Sequence, residues 1–142
     1  MLQAIQDKHK LRRLQKERRK IDREWTERVR ASDREGGFTP TVRREHALIR
    51  EQIDYEISRH ITEVLRNQAE YYFIPFPEYD DETSWQDNGD QRMPTLSPKG
   101  VLEVRSAIRK ERKEAWEFWA GRLTTATGLI GALIGLVAVF KK

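Results

Sequence analysis

The sequence predicts a mainly α-helical protein: an N-terminal antiparallel helical hairpin or coiled coil, a short extended segment able to form a β-hairpin, and a long C-terminal helix continuing into a single transmembrane span. Three observations lead there. Two long stretches carry apolar residues at helical spacing and are separated by a glycine-rich turn. A serine–proline step opens a third stretch that nothing breaks as far as Phe140. The last part of that stretch, Leu123 to Phe140, holds no charged residue and is followed by Lys141 and Lys142. The divisions expected are a hairpin over 1–69, an extended segment and acidic loop over 70–97, a juxtamembrane stalk helix over 98–122 and a transmembrane helix over 123–140.

Residues 1–32 contain few helix breakers and place Leu11, Leu14, Ile21, Trp25 and Val29 on one face, which Ala4 and Leu2 or Ile5 extend. The stripe is narrow and Arg18 interrupts its a/d register, as suits one strand of a coiled coil better than a core helix. Ser32 to Phe38, SDREGGF, reads as a turn. Thr39 then supplies an N-cap and Pro40 a first helical residue, because proline's missing N–H costs nothing there. The second helix carries Val42, Leu48, Ile49, Ile53, Ile57, Ile61, Val64 and Leu65 up to about Ala69 and folds back on the first.

From Tyr71 the pattern changes to YYFIPFP, where Pro75 and Pro77 rule out helix and the aromatic and β-branched residues suit an edge strand. Asp80, Asp81, Glu82, Asp87 and Asp90 then surround Trp85 in a solvated acidic loop ending in a turn at Asn88-Gly89. Arg92 to Leu96 is expected to pair with the YYFIP segment. Ser97-Pro98 repeats the cap-plus-proline signal, and Val101, Leu102, Val104, Ala107 and Ile108 supply an apolar face before the charged run from Arg109 to Glu114. A continuous helix from Pro98 to Phe140 would be about 65 Å long.

The terminal run is long enough for an anchor, since eighteen residues rising about 1.5 Å each reach roughly 27 Å against a hydrocarbon core of roughly 30 Å. Its flanks complete the fit: Trp116 and Trp119 favour the headgroup level, and Arg122, Lys141 and Lys142 can snorkel to water. Gly121, Thr124, Gly128, Gly131, Gly135 and Ala138 alternate three and four apart, which aligns small residues on one stripe where a second helix can approach closely. The partner expected in the lipid bilayer is a second copy or another membrane protein.

More cations precede the span than follow it, so the N-terminal body is expected in the cytoplasm, on an inner (cytoplasmic) membrane crossed once. The first residues lack the apolar core of a secretory signal, and the late position of the span implies insertion after synthesis, as in tail-anchored proteins. The chain has no cysteine, which excludes disulfide and thiolate chemistry.

Two resemblances attach to these residues. LSPKGVLEVRSAIRKERKEAWEFW followed by TGLIGALIGL resembles the tail of small, uncharacterised bacterial single-pass membrane proteins, over roughly the last third of the chain; it implies an arrangement and a bacterial origin but no activity. Leu96-Ser97-Pro98-Lys99-Gly100 also resembles the LTxKG step from the wing into the last helix of some winged-helix proteins, which would imply DNA binding, although no compact three-helix core precedes it.

Residues for catalysis are few. His9, His46 and His60 are the only histidines, and no glycine-rich phosphate loop occurs. Glu56 and His60 share a helix face, but neither the Glu-x-x-His pairs of di-iron bundles nor the zinc-protease motif is present, so a surface ion pair or polar hairpin edge is expected. The acidic loop lacks the order of an EF-hand and suits electrostatic contact with the basic first helix, within the chain or between copies. No enzyme activity and no cofactor are expected.

The remaining signal is basic. Lys8, Lys10, Arg12, Arg13, Lys16, Arg18, Arg19 and Lys20 face only Glu17 within that run, in a chain of net charge +4. Such a helix attracts polyanions. A tethered chain meets anionic lipid or an acidic protein surface first, and nucleic acid ranks below them because no aromatic residue in the run could stack on bases. The expected function is an interaction, scaffold or assembly subunit acting through the hairpin and the small-residue stripe. Two alternatives are a membrane-active effector or small channel component and a membrane-tethered nucleic-acid binder.

Overall fold

The computed structural model describes residues 2–32, 40–89 and 92–140, with the side chains of residues 2, 4 and 123–140 left outside the description. Five elements follow in order: helix α1 (Leu2–Ser32), helix α2 (Pro40–Tyr71), strands β1 (Trp85–Gln86) and β2 (Thr95–Leu96), and helix α3 (Pro98–Phe140). The chain divides into two compact units, Met1–Val104 and Arg105–Lys142. The protein is mainly helical, with one small two-stranded sheet.

In the first unit α1 and α2 form the expected antiparallel hairpin. As numbers rise along α1, their partners fall along α2: Asp7 faces His60, Arg18 faces Asp54, Asp22 faces Arg50 and Trp25 faces His46. Positions 7, 11, 14, 18, 21 and 25 of α1 step four and three apart, the spacing that keeps one seam facing a partner helix. Apolar and polar layers alternate along it. Leu14 and Ile53 are buried, while Leu11, Ile21, Trp25 and Val29 are half-buried. Arg18 therefore belongs to the seam it seemed to interrupt: its Nε lies 2.7 Å from Asp54 Oδ1, and Arg50 reaches both Asp54 and Asp22, at 4.0 and 3.7 Å. Pro40 does open α2; the turn over 33–38 and the Thr39 cap lie outside the described residues.

The strand pairing corrects the expectation. β2 pairs antiparallel with β1, in the register Trp85 to Leu96 and Gln86 to Thr95, and not with the YYFIP segment. The reason is local. Residues 72–74 complete the end of α2 as a Schellman motif, with Phe73 N–H donating to Glu70 O (3.1 Å) and Ile74 N–H to Ala69 O (2.8 Å). Their backbone is thus committed to capping the helix, and the prolines that follow have no N–H for a ladder. Trp85 is also not a solvated loop residue: it is buried, donating from Nε1 to Glu78 O at 2.7 Å and stacking on Tyr79.

The sheet covers the face of α2 opposite α1. Thr62 Oγ1 accepts from Leu96 N–H (3.0 Å), and Tyr55 Oη accepts from Met93 N–H (3.2 Å). The core there consists of Leu65, Ala69, Trp85, Leu96 and Val104 around the buried hydroxyls of Thr62, Ser84 and Thr95. The serine–proline step behaves as its sequence predicts, since Ser97 Oγ accepts from Gly100 N–H (3.1 Å) and Pro98 is the first residue of α3. Gly100 is required by a close approach: a Cβ there would overlap the carbonyl oxygen of Ser84 and sit 3.1 Å from Leu96 Cδ2. Of the apolar face expected on α3, Val104 and Ile108 are buried, whereas Leu102 is exposed.

The second unit is helical from Arg105 to Phe140. Lys110–Glu114 and Lys113–Glu117 form pairs one turn apart along its charged part, at 4.0 and 3.6 Å. Among the described residues no helix is long and apolar enough to cross a membrane. The side chains of the stripe residues Thr124, Gly128, Gly131, Gly135 and Ala138 lie outside the description, as do the flanking Lys141 and Lys142 altogether.

Candidate functional site

The surface features that could act fall into four groups. On α1, Lys8, Lys10, Arg12, Arg13, Lys16, Arg19 and Lys20 are all exposed, and Arg18 alone among the predicted basic residues is turned into the seam. Among the described residues Arg18 is the α1 cation with an ion pair to α2, and the acidic loop is held elsewhere. Tyr79 Oη accepts from Arg66 Nη2 (2.6 Å), and Arg92, at the end of the loop, pairs with Glu51 (2.7 Å). Among the described residues the loop region meets α2 through Tyr79 and Arg92, and no ion pair joins its carboxylates to α1.

The acidic loop is built from its own hydroxyls. Asp81 Oδ1 accepts from Thr83 Oγ1 (2.7 Å) and from Thr83 N–H (3.0 Å), and the Ser84 hydroxyl lies within reach of both Asp81 and Glu103. Hydrogen bonds from Ser84 and then Thr83 favour the ionised form and hold the Asp81 carboxyl down at about 2. Asp81 thus shapes a turn that sets Trp85. Asn88 has a similar duty, donating from Nδ2 to Met93 O (3.0 Å) and Thr95 Oγ1 (3.1 Å) across the sheet connection. Among the described residues no group of three or more acidic or histidine side chains is arranged to hold a metal ion.

His60 and His46 make structural contacts, and His9 is exposed. Of the two expectations for Glu56 and His60, the polar hairpin edge describes His60, which is buried with its Nε2 2.9 Å from Asp7 O on α1, and the surface ion pair is not formed, since Glu56 accepts from Gln52 (3.3 Å). His46 stacks on Trp25, with ring centroids 4.2 Å apart and planes 16° from parallel. Sequence reasoning passed over this stack. The alternating spacing of α1 continues through Trp25, and a hairpin register taken from it would have brought His46 opposite.

Two sets of aromatic side chains project outward. In the first unit Phe73 is 95% exposed and holds φ 54°, a left-handed conformation that costs a residue bearing a Cβ about 1–2 kcal/mol. In the second unit Trp116 and Trp119 are 71% and 60% exposed, Phe118 is exposed beside them, and the Arg122 guanidinium sits 4.0 Å over the Phe118 ring. Gly121, the first residue of the small stripe, is exposed, and a Cβ built there would meet open space. The predicted anchors Trp116, Trp119 and Arg122 therefore stand on one exposed aromatic and cationic stretch of α3. Comparison with family models, curated proteins and solved structures found no match.

Proposed function

We propose that this chain is a non-enzymatic membrane-anchored protein, held in the bilayer by Leu123–Phe140, that serves as an interaction or assembly subunit through its helical hairpin. The observation that carries this reading is the order of residues along α3: exposed Trp116, Phe118 and Trp119, then Arg122, then eighteen residues without a charge. Indole rings in water are poorly placed, and the headgroup layer gives them an apolar side and a wet side together. The span needs only slight bilayer thinning or help from its flanks to fit.

Within this reading the hairpin lies on the cytoplasmic face of an inner membrane, and the exposed cations of α1 meet anionic headgroups or an acidic protein surface. The Gly121-to-Ala138 stripe packs against a second copy or another membrane helix. No catalytic role is assigned to His60 or Asp81 in this reading; they hold backbone and turn.

Alkaline carbonate extraction of membranes from cells expressing the full chain tests the anchor. The intact protein should stay with the membrane pellet. A Leu129→Lys/Ile134→Lys variant should move largely to the supernatant, because each lysine near the centre of a span costs about 2.5–3.5 kcal/mol. Complete extraction of the unaltered protein would refute the reading.

A further inference from the structure

The hairpin has a second, more specific surface at the end nearest its turn. There the seam opens into a cleft between α1 and α2 lined by Ile21, Trp25, Val42, His46 and Ile49. Leu48 and Ile49 are 54% and 52% exposed, although Ile49 falls on the seam face of α2. Farther along α2 the sheet supplies a third layer, through contacts at Glu51, Tyr55 and Thr62. Among the described residues those contacts stop short of residues 42–49. One polar atom in the cleft also stands out: His46 Nε2 is buried and has no hydrogen-bond partner among the described residues.

We infer that this open end of the hairpin is the contact face for a second copy of the chain, two hairpins closing into a four-helix bundle. The inference rests on the membrane-anchored reading, because chains tied to one bilayer meet at high effective concentration. Charge selects the occupant. The cleft is bordered by Glu24, Glu45 and Arg28, so it carries both signs in one small area. Lipid headgroups or nucleic acid would meet two carboxylates for one guanidinium. A twofold contact of the face with itself sets Arg28 of one copy against Glu45 of the other, Glu24 being held by Lys20 of its own helix at 3.6 Å, and repeats the match by symmetry. It also covers Leu48 and Ile49 and offers His46 Nε2 a carboxylate to bond. A helix pair with a narrow core gains an enclosed one by this association.

The test uses the full chain in mild detergent and in nanodiscs, with light scattering for stoichiometry and circular dichroism for fold. The unaltered protein should be dimeric. Leu48→Glu/Ile49→Glu should weaken association by roughly 30-fold or more, the scale of losing central interface residues. Its helicity should be retained, because both side chains are half-exposed in the single chain.

Since the chain lacks cysteine, Leu48→Cys and Lys16→Cys give a second readout that does not need a disruptive change. Oxidation should cross-link the first and not the second. A monomeric unaltered protein, or equal cross-linking at both positions, overturns the inference. So does a dimer that survives Leu48→Glu/Ile49→Glu but is lost with Gly128→Ile/Gly131→Ile/Gly135→Ile; that result would place the contact in the span and leave the membrane-anchored reading standing.

Discussion

Replacing Gly100 by alanine sets two physical effects against each other with opposite signs. Gly100 lies in the first turn of α3, where alanine is better than glycine by up to about 1 kcal/mol on helix propensity alone. The tertiary structure argues the other way. A Cβ would overlap the Ser84 carbonyl oxygen and come within 3.1 Å of both Ser84 C and Leu96 Cδ2.

None of these neighbours can yield cheaply. Ser84 is fully buried, Leu96 nearly so, and the Ser84 carbonyl accepts from Ser97 N–H at 2.9 Å. Opening the step from sheet to helix risks that hydrogen bond, about 0.5–1.5 kcal/mol, and adds an overpacking cost of about 1–3 kcal/mol. Against the propensity gain, Gly100→Ala should lose about 1–3 kcal/mol. Urea denaturation of the full chain in detergent, followed by far-ultraviolet circular dichroism and tryptophan fluorescence, measures it. An unchanged or raised midpoint would refute the reasoning, since only the propensity effect would then operate.

Phe73→Gly should raise stability by about 0.5–1 kcal/mol, because glycine avoids the left-handed penalty and a side chain this exposed gives up no burial; thermal melts report the change. For Asp81 the folded carboxyl titrates at about 2 against an ordinary 3.8, so its contribution is fully present above 3.8 and is lost as pH falls through about 2. Asp81→Asn should flatten the acid limb of a stability–pH profile in that window, and a profile of unchanged shape would contradict the turn described here. A double-mutant cycle with Arg18→Ala and Asp54→Ala should give a coupling of about 0.2–1 kcal/mol that shrinks at high salt, since both side chains are half-exposed.

The helical part of the fold was legible because its signals are local. Pro40 and Ser97-Pro98 mark helix starts through missing N–H groups and a hydroxyl acceptor, and both appear in the structure. The hairpin followed from apolar spacing, and the same rule made Arg18 look like an interruption because spacing does not show that Asp54 lies opposite. The sheet was misread for a related reason. Aromatic and β-branched content favoured residues 71–75, but strands of two residues each are held by the Thr62 hydroxyl of α2, by the Asn88 amide between the strands and by the burial of the Trp85 ring of β1.

The candidate surfaces divide in the same way. The basic face of α1 and the tryptophans near Arg122 could be read directly, as runs along one helix. The cleft at His46 needed the register between two helices. The left-handed Phe73 needed the backbone itself, since phenylalanine gives no sign of favouring that position.

Cysteine accessibility in intact membranes tests the proposed anchor. In the full chain, Leu133→Cys and Lys16→Cys would be labelled separately with a membrane-impermeant maleimide, on inverted inner-membrane vesicles. An anchored chain should show rapid labelling at position 16 and protection at position 133 that persists until the bilayer is dissolved. Equal labelling of both positions in intact vesicles would contradict it.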